Sequence, residues 1–97
     1  MTMRHDLTAA KSLIDTPEKW CKGGLRQGNR LTALGALNDA CNPMTLRAVY
    51  PLITALLPEG FNRPGGIKAY NDAQATIHAD IMALFDRAID AALTPEA

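Results

Sequence analysis

The side chains best suited to chemistry near neutral pH are two histidines and two cysteines, His5, His78, Cys21 and Cys41. His78 stands six residues after Asp72, seven after Asn71 and eight before Asp86, with Met82 between at four-residue spacing. An imidazole beside a carboxylate and a carboxamide can relay a proton or orient a small polar ligand. Asn71, Asp72, His78 and Asp86 therefore form a candidate polar site. The plainer reading is that Asn71 or Asp72 caps the start of the last helix, since short polar side chains satisfy the free amides there. His78 and Asp86 would then share a helical stripe beside the apolar one.

Cys21 and His78 make the one thiol–imidazole pair with nucleophilic appeal, because Lys19, Lys22 and Arg26 supply positive charge that favours a thiolate. Against it stands Cys21 as a small buried apolar group next to Trp20. The cysteine spacing fits no zinc pattern, and His5-Asp6 or His78-Ala79-Asp80 would each bring only two ligands to a metal. No Gly-rich phosphate loop, serine-centred elbow or paired-acid motif occurs. No catalytic residue, metal or cofactor is assigned on this basis. Trp20 reads as a core anchor or as a partner contact. In the second case the basic residues Lys19, Lys22, Arg26 and Arg30 around it would form a partner-facing patch.

Composition narrows the classes. Of 97 residues, 47% are hydrophobic and 21% charged, the balance of a globular chain. Aromatics make up only 5%, so the core must be built from Leu, Ile, Ala and Met, which suits helices. Formal net charge is zero with a pI near 6.7, unlike the basic footprint of a nucleic-acid binder. Residues 1–48 carry seven basic and four acidic groups (+3), and residues 49–97 carry three and six (−3). Two halves of opposite charge attract in an antiparallel fold. No apolar leader opens the chain, and no apolar run approaches the roughly 20 residues that span a bilayer. A cytoplasmic setting with free thiols is expected.

The elements that must position these residues are helices. The expected fold class is all-α (mainly α): a bundle of four to five short helices in one domain of residues 1–97, frayed at 1–5 and 94–97. Asp6 or Thr8 can cap a first helix with Leu7, Ala10, Leu13 and Ile14 on one face. Thr16-Pro17-Glu18 starts a short second turn, which Gly23-Gly24 ends. Residues 25–31 form either a small hairpin around a central turn or an irregular loop. Thr32 opens a helix over 33–40, and Asn42-Pro43 opens another whose Met44, Val49, Ile53, Leu56 and Leu57 line its buried side. Pro51 should kink or restart that helix. Residues 58–66 form a loop, residues 67–70 a helical turn. A long amphipathic helix then spans 75–93, with Ile77, Ile81, Leu84, Phe85 and Ile89 facing the core.

Two segments carry a family likeness. Trp20-Cys21-Lys22-Gly23-Gly24 followed by Ala33-Leu34-Gly35-Ala36-Leu37 resembles a W-C-x-G-A … A-x-G-A-L opening. Tyr70-Asn71-Asp72 followed by residues 76–89 is similar to an F-N-D … T-H-x-D-V-L-x-L-L-D-R-A close. Both belong to an uncharacterised family of small bacterial and phage proteins, domain-of-unknown-function family 6197, and the likeness covers residues 13–92. The chain departs from the pattern at Gly24, at Tyr70 and in lacking a cysteine just before the Gly35-Ala36-Leu37 segment. The resemblance implies that Trp20, Asn71, Asp72, His78 and Asp86 belong to one spatial arrangement, and that a phage or mobile-element origin is to be expected.

Three functions are then in play. The first is a non-enzymatic protein-interaction module, encoded by a phage or mobile element and inhibiting a host protein or defence complex. The second is a small enzyme or ligand-binding domain around Asn71, Asp72 and His78. The third is a weak helix-turn-helix nucleic-acid binder, with Thr45 and Arg47 on the second helix.

Overall fold

A computed structural model describes residues 3–92. Five helices and one small hairpin follow in the order α1 (Met3–Leu13), β1 (Arg26–Gln27), β2 (Arg30–Leu31), α2 (Ala33–Ala40), α3 (Pro43–Leu56), α4 (Gly66–Asp72) and α5 (His78–Ala92), with a 3-10 turn at Pro17–Lys19 after α1. α1 packs against both α5 and α2, α3 against α5, and α2 against α4. The ridge of Leu7, Ala10 and Ile14 on α1 meets Ile81, Leu84, Phe85 and Ala88 on α5 in one core cluster, which Leu37, Val49 and Ile53 complete.

The helix starts follow their capping residues. The Thr32 hydroxyl accepts the Gly35 amide at 3.0 Å, and the Asn42 side chain accepts the Thr45 amide at 2.8 Å with Pro43 following at the first helical position. Both arrangements satisfy amides that a helix start leaves free. The segment at 25–31 resolves to the hairpin: Arg26 pairs with Leu31 and Gln27 with Arg30 across a two-residue loop. Gly28 takes φ +61° there, a conformation glycine adopts without steric cost.

Several expectations are corrected. α1 already runs at Met3, which packs against the core; residues 1–2 and 93–97, where part of the expected fraying falls, lie outside the described residues. Asp6 therefore lies inside α1 and caps nothing. It is buried, and its carboxylate oxygens have no hydrogen-bond partner among the described residues. Thr16 makes no side-chain cap. Leu13 and Met44, both expected to be buried, are 39% and 80% exposed because they fall off the ridges their helices turn inward. α3 continues through Pro51 as one helix. Proline's cost is a missing amide and a ring clash with the preceding turn, and Pro51 stands on the exposed side.

The last helix begins at His78, three residues later than its periodicity suggests. Ile77 is the N-cap: its carbonyl accepts the first helical bonds from Asp80 and Ile81, while Asp80 Oδ2 reaches back to the Ile77 amide at 3.0 Å. This is half of a capping box. Ile77 is consequently 59% exposed instead of buried. Asp80→Ala is expected to cost about 1 kcal/mol through loss of this cap, while Ile77→Ala should stay within about 0.5 kcal/mol. Urea unfolding of the two variants checks the order, and an Ile77→Ala loss larger than that of Asp80→Ala would contradict the assignment.

Candidate functional site

The polar residues singled out by sequence are held by the junction of α4 with the strand-like segment after the 3-10 turn. Every residue from Trp20 to Gly23 bonds to residues 71–74. The Trp20 indole Nε1–H donates to Asn71 Oδ1 at 2.7 Å, and the Cys21 carbonyl accepts from Asn71 Nδ2 at 3.2 Å. Lys22 Nζ donates to the carbonyls of Ala73 at 2.6 Å and Gln74 at 3.4 Å. The Gly23 amide donates to Asp72 Oδ1 at 2.8 Å. The Lys22 ammonium thus covers carbonyls just past the end of α4, where a helix dipole favours a cation. It also stands 5.9 Å from the centroid of the Trp20 ring, within cation–π range.

Asn71 is the centre of this clamp. Its side chain is wholly buried. Oδ1 accepts a second bond, from the Ala33 amide at 3.0 Å, and Nδ2 gives its other proton to Asp72 Oδ1 at 3.0 Å. A carboxamide offers two donors and two lone pairs, and all four are used. Asn71 does act as a cap, but the helix it caps is α2, across the fold. The expectation that Asn71 or Asp72 caps the last helix is therefore corrected: both lie in the last turn of α4, which ends at Asp72 with Ala73 as its C-cap.

Asp72 is shared between Gly23, Asn71 and Lys68, whose ammonium stands 3.1 Å from Oδ2. Partial burial alone would push its carboxyl up. The hydrogen bonds from Asn71 and Gly23, with the Lys68 charge, outweigh that and hold it below its ordinary value. A depressed folded-state pKa contributes stability that is present above the unfolded value near 3.9 and lost as pH falls through the folded one. The stability gap between the wild-type chain and Asp72→Asn should accordingly be constant from pH 7 to about pH 5 and close below about pH 4. Urea midpoints across that range measure it, and a gap that survives at the acid end would contradict the assignment.

His78 joins the cluster from α5. Its ring stands 5.9 Å from the Trp20 ring, tilted by 57°, and Nε2 is 2.7 Å from the Ile14 carbonyl. A carbonyl only accepts, so Nε2 carries a proton and donates it. Trp20, Asn71, Asp72 and His78 are thus brought together, as the family pattern implies. Asp86 is not: it pairs with Lys11 on α1. That ion pair links the basic and acidic halves in the sense the charge asymmetry suggests.

The thiol reading fails on its geometry. Cys21 is buried, and burial pushes its thiol up, away from the thiolate a nucleophile needs. Cys41 is buried likewise, and burial together with the Asp6 carboxylate pushes it up to about 11. Among the described residues no three His, Cys, Asp or Glu side chains come together as metal ligands. The proposed basic patch is largely engaged internally: Lys19 pairs with Asp15, Arg26 with Asp39, and Lys22 as above. Arg30, on β2, remains exposed. α2 and α3 do stand in a helix–turn–helix order, with Thr45 part-buried and Arg47 exposed.

Two contacts were not anticipated from sequence. One is the Ala33 amide on Asn71. The other is Gly35, where a Cβ would lie 1.9 Å from the Leu25 carbonyl oxygen. A glycine inside a good helical stretch costs about 1 kcal/mol against alanine, and that cost was the available signal of a close approach.

A family of unknown function, DUF6197, matches residues 1–91. No curated protein and no solved structure matches the chain.

Proposed function

The chain belongs to DUF6197, a family of unknown function, and from the clamp's geometry we propose that it is a non-enzymatic protein-interaction module. The observation that carries this reading is the saturation of Asn71. All four of its hydrogen-bonding positions go to Trp20, Cys21, Ala33 and Asp72, so the residue best placed to bind a ligand has no capacity left for one. An enzyme centred on Asn71, Asp72 and His78 would have to break the contacts that join α4 to the 20–23 segment. The polar cluster is then a device that shapes the fold, and function passes to the outer surface.

A stoichiometric binder is a natural role for a chain of 97 residues with one core cluster. In its most specific form the module is encoded by a phage or mobile element, acts in the host cytoplasm and blocks a host protein or defence complex. No helix among the described residues is long and apolar enough to cross a membrane. Affinity capture with the tagged full-length chain from bacterial lysates is expected to recover one dominant protein in near one-to-one amount. Blank captures across several lysates would overturn the proposal.

A further inference from the structure

Resting on that reading, we propose that the groove between α3 and the loop at 61–65 is the contact surface, and that it takes an apolar segment of a partner protein flanked by carboxylates. Two adjoining clefts of ≈ 390 and ≈ 480 Å³ share Tyr50, Thr54 and Pro64 as common walls. Leu34 and Ile67 extend the first, and Pro51 and Ala55 extend the second. Along the outer side of α3 the apolar surface continues through Ala48 to Met44, which is 80% exposed. These positions recur at helical spacing, so α3 presents one apolar ridge inward and a second outward. Nothing among the described residues covers the outward one.

The groove is already formed. Phe61 stacks edge-on against Tyr70 at 5.4 Å, and the loop is tied by bonds from Phe61 to Pro58, Arg63 to Phe61 and Gly66 to Arg63. Gly66 lets the loop pass close to α4, since a Cβ there would lie 1.6 Å from the Phe61 carbonyl oxygen. A partner would therefore lose little affinity to ordering the surface it meets.

Charge selects the occupant. α3 contains no acidic residue, and Arg47 lies one turn before Pro51. Arg63 stands between the lining residues Asn62 and Pro64, and Lys68 lines the first cleft. Lys68 is shared with Asp72, but no ion pair engages Arg47 or Arg63 among the described residues. The nearest acid in sequence, Glu59, precedes the loop. A second copy docked through this face would add a second Arg47 and Arg63 to the shared interface without any acid from α3, which disfavours self-association there. An apolar segment with flanking Asp or Glu buries the walls and pairs the arginines.

The test is selection of a random-peptide display library on the full-length chain, with counter-selection on an Ala55→Arg chain. Ala55 is exposed, and an unchanged Tm will show that the variant folds. Survivors are expected to carry an apolar core with net negative flanks, and to perturb backbone amide signals of residues 50–55 and 62–68. Arg63→Glu should weaken them by about tenfold. Survivors without acidic bias, signals shifted elsewhere, an empty selection, or a chain that sediments as a dimer disrupted by Ala55→Arg would each overturn the assignment. If captured partner protein binds Ala55→Arg as well as wild type, the groove is wrong while the interaction role stands; if no partner is captured, the role itself falls.

Discussion

Replacing Asn71 by Ala is expected to lower the unfolding free energy by about 3–5 kcal/mol, because three groups of the fold lose their only described partner in the clamp. The Trp20 indole N–H, the Ala33 amide and the Cys21 side of the junction all bond to the one carboxamide. Each donor or acceptor left unpaired away from water costs about 1–3 kcal/mol. A domain of this size is stable by only about 5–15 kcal/mol, so the variant should be close to unfolding and its Tm lower by roughly 15–25 °C. Asn71→Asp should be no milder. It keeps the shape but removes both donations and sets a second carboxylate against Asp72 Oδ1, which now sits 3.0 Å from Nδ2. Trp20→Phe removes a single bond and should cost about 1–2 kcal/mol. If Asn71 were instead a reacting or ligand-binding group, Asn71→Ala would leave Tm nearly unchanged. Thermal unfolding of the three variants decides between the two.

The second large effect belongs to a glycine. Gly35→Ala is expected to cost about 3 kcal/mol or more, since a Cβ 1.9 Å from the Leu25 carbonyl oxygen cannot be accommodated without moving backbone. The approach is close because the hairpin lies over the first turn of α2: the Thr32 amide bonds to Leu25 at 3.1 Å and the Thr32 hydroxyl faces the Gly24 and Leu25 carbonyls. In an open helix the same substitution would gain about 1 kcal/mol from propensity. The sign of the change is therefore diagnostic. A Gly35→Ala chain with an unchanged or raised Tm would place the hairpin elsewhere. Gly24→Ala, at a positive φ of +67° with nothing within 4 Å of the added carbon, isolates backbone strain from collision and should cost less.

These two residues also show what could be read along the chain. The helix starts at Thr32 and Asn42-Pro43 were legible because a cap is a local event, settled within one turn by side-chain oxygen and amide. The apolar ridges of α1, α3 and α5 were legible in their centres, at Leu7, Val49 and Leu84, where periodicity is long enough to average. It failed at helix ends. Leu13, Met44 and Ile77 have the right residue type, but each sits where the helix begins or stops, and the spacing does not say which side of the axis the next segment takes. The candidate site was half legible. Asn71, Asp72, His78 and Trp20 do meet, while Asp86 turns to Lys11. What no local rule could supply was the partner of each: Asn71 caps a helix 38 residues earlier in the chain, and a bond of that range depends on tertiary packing.

The same long-range character explains why the polar cluster resembles a reaction centre in sequence. An Asn, an Asp and a His near a Trp have the types that bind ligands, and they have equally the types that join buried backbone between elements. Burial decides between these roles. Asn71 lies wholly inside, its bonds are complete, and the Lys22 ammonium closes the side toward Ala73. The outward surface, by contrast, keeps apolar groups along α3, with Arg47 on that helix and Arg63 on the neighbouring loop engaged in no ion pair among the described residues.

The most direct measurement of a closed clamp is hydrogen exchange at the Trp20 indole Nε1–H, followed by NMR in deuterated buffer on the native chain. If Asn71 holds that proton, exchange should be slow, should slow further as the fold is stabilised, and should rise to the unprotected rate in Asn71→Ala under conditions where that variant remains folded. An indole proton that exchanges freely in the wild-type chain would show the cluster open to solvent, and would return Asn71, Asp72 and His78 to the list of groups available for binding or catalysis.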